Sequence, residues 1–320
     1  MHFADLPRDI LFELADILDD TGMNALCRTN SQIYYLLNGY LYRRDLTRSR
    51  CKSLLWAASN GVEATAQQAL AASGYLDPIP ESYNTALYIA AVEGHAGLVE
   101  LLLKIEGINP NIVNSAGDHV LGLSVSLRHT SIVKLLLEHP DIDPNFPAGG
   151  GRSALMQARE PNMLKLLLEV EDIDVNQQDN FGRTALCYNL GRTAISQAAL
   201  VSRFEMAKLL LNRDDTDPNL PDRYGQTALF WACDSNCLSL VDLLLKRDDI
   251  DPNARDNSGN TALVRPCLLN HVAIVRAILS YRNMDPNPID NNGLSLLTRV
   301  MRDRHDRFEI ESLLRAAGAS

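Results

Sequence analysis

The stretch Thr227-Ala228-Leu229-Phe230-Trp231-Ala232-Cys233, followed by Leu243-Leu244-Leu245 and closed by Asp251-Pro252-Asn253, is one cycle of a pattern that governs most of this chain. The closing tripeptide recurs as Asn109-Pro110-Asn111, Asp143-Pro144-Asn145, Asp174-Val175-Asn176, Asp217-Pro218-Asn219 and Asp285-Pro286-Asn287, so that successive copies lie 34, 31, 43, 34 and 34 residues apart. Each copy follows an apolar triplet: Leu101 to Leu103, Leu135 to Leu137, Leu166 to Leu168, Leu209 to Leu211, Leu243 to Leu245 and Ala277-Ile278-Leu279. Sixteen residues ahead of most triplets stands a start signal: Thr85-Ala86-Leu87, His119-Val120-Leu121, Thr193-Ala194-Ile195, Thr227-Ala228-Leu229 and Thr261-Ala262-Leu263. Chance does not keep three elements in phase over six units.

Each cycle has a physical reading. A residue able to cap a helix (Thr85, Thr227, Thr261) opens a short Ala-rich first helix, and small pairs such as Ala90-Ala91 and Ala198-Ala199 let it approach its neighbours closely. A tight turn follows at Gly61, Gly94, Asn236 or Asn270, residue types that tolerate a left-handed backbone after a helix, whereas Arg128 and Ser202 hold that place in two units. A Leu-rich second helix and an extended Asp-x-Asp-Pro-Asn turn complete the unit. No such unit buries its apolar face alone, so stacking of units is expected.

In the order of turn, start signal, Ala pair, Gly94-His95 and Leu triplet, the chain resembles the ankyrin repeat family. That resemblance implies an all-α solenoid of helix pairs with β-turn fingers over residues 51–320, in about eight units with degenerate terminal ones. Ala replaces the family's Pro after the start Thr, and endings such as Pro140-Asp141-Ile142-Asp143-Pro144-Asn145 lengthen the period to 34. The interval of 31 reads as a loss near Gln157 to Pro161, where the proline also shortens a helix. The interval of 43 coincides with a duplication, Gly182-Arg183-Thr184-Ala185-Leu186 and then Gly191-Arg192-Thr193-Ala194-Ile195. The second copy is in phase with its triplet, which assigns residues 182–190 as an insertion in the preceding finger. Pro266, inside a first helix, predicts another local distortion.

Residues 1–50 fall outside the period. Ile10, Leu14, Ile17 and Leu18 share one helical face, and Ile33, Leu36, Leu37, Tyr40 and Leu41 follow in helical phase, consistent with three short helices. In the start Leu6-Pro7-Arg8-Asp9-Ile10-Leu11 and the ending Leu41-Tyr42-Arg43-Arg44, the segment resembles an F-box, although the usual tryptophan is absent and Tyr34 and Tyr35 stand nearby. The resemblance implies that Leu6, Pro7, Ile10 and Leu11 contact a Skp-type adaptor, and that the repeats offer a target protein to a Skp-cullin-F-box ubiquitin ligase. The alternative is an ankyrin scaffold whose N-terminal helices only cap the stack, with no ubiquitin role.

The 320 residues carry 30 Lys+Arg against 40 Asp+Glu, a formal net charge of −10 that disfavours nucleic-acid binding through phosphate neutralisation. No run approaches the roughly 18 apolar residues of a membrane helix, and Asp5, Asp9, Glu13 and Asp16 interrupt any signal-peptide core. Six scattered cysteines form no disulfide framework, which fits a cytoplasmic or nuclear protein. Cys233 and Cys237 replace a core Ala and a turn His and have no second pair to complete a zinc site. Gly149-Gly150-Gly151-Arg152-Ser153 lacks the Lys of a phosphate loop. His95, His129 and His271 share one repeat slot and read as structural residues. No cofactor, metal or catalytic constellation is expected, and the chain reads as a non-enzyme.

What remains is surface. Ankyrin-like stacks present finger tips and first-helix positions to partners, and phase mapping gathers Arg152, Phe181, Arg183, Arg192, Arg223 and Tyr224 on the middle fingers. Arginine and aromatic residues are the types most enriched among binding hot spots. The acidic residues, such as Asp141, Asp143, Asp172, Asp174, Asp215 and Asp217, fall instead in the turns after the second helices. An Arg/aromatic groove that receives an acidic or extended peptide is the expectation.

Overall fold

A computed structural model describes residues 52–73, 81–190, 197–302 and 307–319. The segment carrying Leu6, Pro7, Ile10 and Leu11 lies outside the described residues, as does Arg192. The chain divides into two compact units at Asp143/Pro144. The first contains α1 (Lys52–Asn60), α2 (Glu63–Ser73), α3 (Glu81–Glu93), α4 (Ala96–Leu103), α5 (Val120–Ser126) and α6 (Thr130–Leu137). The second contains a 3-10 turn at Gly149–Gly151, then α7 (Ala154–Gln157), α8 (Pro161–Leu168), α9 (Ala185–Leu190), α10 (Gln197–Leu211), α11 (Ala228–Asp234), α12 (Leu238–Leu244), α13 (Val264–Leu268), α14 (Val272–Leu279), α15 (Leu296–Arg302) and α16 (Phe308–Ala316). The described residues thus form eight helix pairs joined by irregular segments, the ankyrin pattern the repeat implied.

The apolar spacing explains the packing. In α3, Ala86, Leu87, Ala90 and Ala91 are buried, and in α4 Leu98, Val99 and Leu102 are buried, one stripe per helix. First helices pack on first helices and second on second: α1 on α3, α3 on α5 and α4 on α6 in one unit, α9 on α11 and α12 on α14 in the other. The small side chains permit the close first-helix approach. Between the helices of a pair the backbone turns left-handed at Gly61, Gly94, Arg128, Asn236 and Asn270. At Gly61 a Cβ would lie 2.7 Å from the His95 ring, so that turn needs glycine for space as well as for conformation. The histidines repeat this contact: Nε2 of His95 lies 3.5 Å from Ser59 O and that of His129 lies 3.0 Å from Val92 O, which fits their structural reading.

The Asp-x-Asp-Pro-Asn turns form a ladder through asparagine. Asn219 Oδ1 accepts the Asp251 N–H at 2.8 Å and its Nδ2 donates to Asp249 O at 2.7 Å; Asn176 does the same with Asp217 and Asp215, and Asn253 with Asp285 and Asn283. Asn111 repeats it in the first unit with Asp143 and Asp141. Each asparagine therefore ties its own turn to the next one.

Three sequence expectations need correction. The start threonines do not cap helices through their hydroxyls: Thr227 precedes α11 without a side-chain cap bond, Thr85 lies inside α3, and Thr261 stands ahead of the N-cap Leu263. Thr227 and Thr261 are instead buried. Second, residues 182–190 are not an insertion in a finger. Gly182 is the finger glycine, Ala185–Leu190 is the first helix α9, and α9 packs between α7 and α11. Third, Ser202 is not the inter-helix turn but lies within α10, whose 15 residues against eight in α6, α8 and α14 take up most of the extra length. The physical reason is the turn ahead of the first copy: Asp179 organises that finger, whereas Tyr188 holds the equivalent place before Gly191.

The prolines act as read. Four-residue α7 ends at Ala158 in extended conformation and Pro161 starts α8, where its missing N–H costs nothing. Helix α13 has five residues, with Pro266 inside it, against seven in α11.

Candidate functional site

Each finger of the second unit after the first is built on one aspartate. Asp179 Oδ1 accepts the N–H groups of Phe181 and Arg183 at 2.8 and 2.9 Å, and Asp222 Oδ1 accepts those of Tyr224 and Gln226 at the same two distances. Asp256 and Asp290 do likewise. The signal in sequence is Asp-x-x-Gly, at 179–182, 222–225, 256–259 and 290–293, a spacing that the recurrence of the Leu triplets and Asp-Pro-Asn turns does not reveal. Adjacent fingers are then tied by one backbone bond each: Asn180 N to Gly150 O, Arg223 N to Phe181 O, Asn257 N to Tyr224 O, and Asn291 N to Ser258 O, at 2.8–3.0 Å. At Gly182, with φ +75°, a Cβ would lie 2.9 Å from Arg223 N, so glycine is what allows the next finger this close.

This row brings Phe181, Arg183, Arg223 and Tyr224 together. The Arg183 guanidinium carbon lies 4.9 Å from the Phe181 ring centre and 4.5 Å from that of Tyr188; the Arg223 carbon lies 4.4 Å from Phe181 and 4.6 Å from Tyr224. Rings and cations therefore alternate across two fingers, a favourable arrangement for each contact. Phe181 and Tyr224 remain 40% and 52% exposed. Arg152 is exposed on the preceding finger, donates Nε to Gly149 O at 3.2 Å, and its charge reaches Tyr188.

The two arginines differ in charge balance. Arg183 donates Nε and Nη2 to Asp179 Oδ2 at 3.0 and 2.7 Å, and the Tyr188 hydroxyl donates to the same oxygen at 2.9 Å. Burial opposes ionisation of Asp179, but the hydrogen bonds from Arg183, Tyr188 and the Phe181 backbone outweigh it and hold the carboxyl below its ordinary value. Burial, and then the bond to Asp179, push the Tyr188 phenol upward. Arg223 meets no carboxylate among the described residues: its Nη2 meets the Tyr224 hydroxyl and its guanidinium carbon lies by the Phe181 and Tyr224 rings. Asp179 and Tyr188 are residues that sequence reasoning missed.

Elsewhere the candidates for chemistry are structural. Burial pushes the Cys233 thiol far upward and Cys267 up to about 12, and among the described residues no group of three or more His, Cys, Asp or Glu could hold a metal ion. Asp234 pairs with Arg265 at 2.9 Å in a first-helix contact. Among the described residues no helix is long and apolar enough to cross a membrane.

A family model described as ankyrin repeats (3 copies) matches residues 54–148, 103–179, 121–213, 158–256 and 195–291. The liver isoform of mitochondrial glutaminase from Rattus norvegicus and from Mus musculus is 36% identical over 92 residues, 28% of this chain. The chain spans 15% of those relatives, too small a share to carry their activity over. Among solved structures, the ankyrin repeat domain of Bcl-3, described as a unique member of the IkappaB protein family, is similar with a TM-score of 0.60 and 27% identity over 72% of this chain and 97% of that one. An ankyrin repeat domain from Acinetobacter baumannii AYE is similar with a TM-score of 0.53 and 26% identity, over 62% and 98%.

Proposed function

The chain belongs to the ankyrin repeat family, and from that membership we propose that it is a substrate-recognition subunit: the repeats hold a target protein, and the N-terminal segment links it to a Skp-cullin-F-box ubiquitin ligase. Ankyrin repeats bind protein partners, which is the firm part of this reading. For the target-binding half, the supporting observation is the exposed row of Phe181, Arg223 and Tyr224 on fingers fixed by backbone bonds. Rigid exposed aromatics beside arginine are what binding hot spots are made of, and a surface that does no bond chemistry needs nothing further. For the ligase half the support is the motif Leu6-Pro7-x-x-Ile10-Leu11 ahead of the repeats. The free thiols Cys187, Cys233, Cys237 and Cys267 accord with a reducing cytoplasmic or nuclear setting.

The test is co-purification of the full chain with a Skp-type adaptor, compared with a Leu6→Asp, Pro7→Ala variant. Wild-type capture that the variant loses supports the ligase link. A wild-type chain that captures no adaptor leaves the second reading, an ankyrin scaffold whose N-terminal residues cover the end of the stack.

A further inference from the structure

Resting on the protein-binding reading, we propose that Arg223 is the anchor for a single carboxylate side chain, an Asp or Glu on an extended segment of the partner, with Phe181 and Tyr224 receiving the apolar residues beside it. The first ground is charge. In a chain of net charge −10, Arg183, Arg213, Arg247, Arg265 and Arg282 each meet a carboxylate at 2.6–2.9 Å. Arg223 meets none among the described residues. It even passes over its neighbour Asp222, whose Oδ2 is buried without a hydrogen-bond partner there, and lies outward against two rings.

The second ground is geometry. The Arg223 guanidinium carbon lies 4.4 and 4.6 Å from the Phe181 and Tyr224 ring centres, and one of its five N–H hydrogens, on Nη2, is spent on the Tyr224 hydroxyl. Nη2 lies beside Nε on one edge and beside Nη1 on the other, and its second hydrogen remains, so that a planar pair of donors still matches the two oxygens of a carboxylate. The stacking also fixes the side chain before binding, which lowers the entropy lost when the contact forms. The row's main chain is already used, since Arg223 N donates to Phe181 O, and Arg223 O accepts from Asn257 Nδ2. A partner therefore finds no open strand edge and is read through side chains. Because Arg183 is closed by Asp179, and Asp222 stands beside the open arginine, the local field suits one negative charge better than the two of a phosphate.

The test is selection of a random short-peptide library, displayed on phage, against the full chain, followed by affinity measurement of a synthesised winner. Enriched peptides are expected to share an Asp or Glu next to an apolar residue, and alanine in place of that acid should weaken binding about tenfold. Arg223→Gln should weaken it by a similar factor, and Arg223→Lys should not rescue it fully because the ammonium loses both fork and stacking. Arg282→Gln makes the same change in net charge at the exposed Asp248 pair and should leave binding unchanged. Thermal melting of the Arg223 variants alongside wild type separates lost binding from lost folding. Peptides that carry no acid, or that bind Arg223→Gln as well as wild type, overturn the carboxylate anchor and leave the protein-binding reading standing; a wild-type chain that enriches no peptide overturns the anchor and counts against that reading too.

Discussion

The finger at 179–184 and the finger at 222–227 follow the same backbone course and use their side chains in opposite ways. Both start at an aspartate that accepts two N–H groups, and both turn through a glycine at positive φ. Counting from the aspartate, Gln226 stands where Arg183 does, and Trp231 stands where Tyr188 does. In the first finger both side chains converge on Asp179 Oδ2. In the second, Asp222 Oδ2 and Trp231 Nε1 are both buried with no partner among the described residues. One finger closes its charges inward and stabilises the repeat; its neighbour leaves its arginine outward. Recognition and stability are thus divided between adjacent units of one scaffold.

The sharpest way to break this contrast is Arg183→Ala. It leaves the Asp179 carboxylate, whose side chain is 0% exposed, without its cation, and removal of one partner of a buried pair costs about 3 kcal/mol or more. Urea unfolding of the full chain near neutral pH should show that loss, whereas Arg223→Ala should cost only about 1 kcal/mol, since it removes exposed cation–π contacts and breaks no ion pair. Equal losses for the two would erase the distinction. The acid limb gives an independent reading. The folded pKa of Asp179 lies below its ordinary 3.8, so the stability it contributes is complete above that value and is lost as pH falls through the lower folded one. Asp179→Asn keeps the Oδ1 acceptor but cannot titrate, and its urea midpoint should fall less steeply than wild type in that window. Parallel acid limbs would show that Asp179 is not the group concerned.

Next in size is Asn219→Ala, which tests what the two fingers share. It removes a 2.7 Å bond to Asp249 O and a 2.8 Å bond from Asp251 N, and at about 1 kcal/mol net per bond the unfolding free energy should drop by roughly 2 kcal/mol. A cost as large as that of Arg183→Ala would mean that the turn ladder, not the closure of the Asp179 finger, dominates the stability of these repeats. The ladder also marks how far sequence reading reached. The recurrence of Asn111, Asn145, Asn176, Asn219 and Asn253 was plain, and the helix pairs follow from it. Their bonding was not, because each asparagine's partner lies 27 to 39 residues away and periodicity records equivalence rather than contact. The duplicated Gly-Arg-Thr-Ala misled for the same reason: two copies satisfied one start signal, and only the Asp179 turn distinguishes them. Of the candidate surface, Phe181, Arg183, Arg223 and Tyr224 were legible as finger residues. That Arg183 is neutralised was not, since Tyr188 reaches Asp179 from the following helix.

The smallest effect belongs to the substitution that would convert one finger into the other. Gln226→Arg places a guanidinium four residues after Asp222, the spacing by which Arg183 reaches Asp179. Asp222 is only 6% exposed and its Oδ2 is unmatched among the described residues, so a partner there offsets a desolvation cost the finger already bears. The gain should be about 1 kcal/mol in urea unfolding, less than the loss from Arg183→Ala, because Trp231 has no hydroxyl to complete the pattern and the new side chain must be ordered. An unchanged or lowered midpoint would show that the surroundings of the finger, rather than the residue four positions on, decide whether it closes. Acid-bearing peptides should still bind this variant, since Arg223 keeps its two rings and its free edge. Stability would then have been moved at residue 226 while recognition stayed at residue 223, which is the separation that the pair of fingers implies.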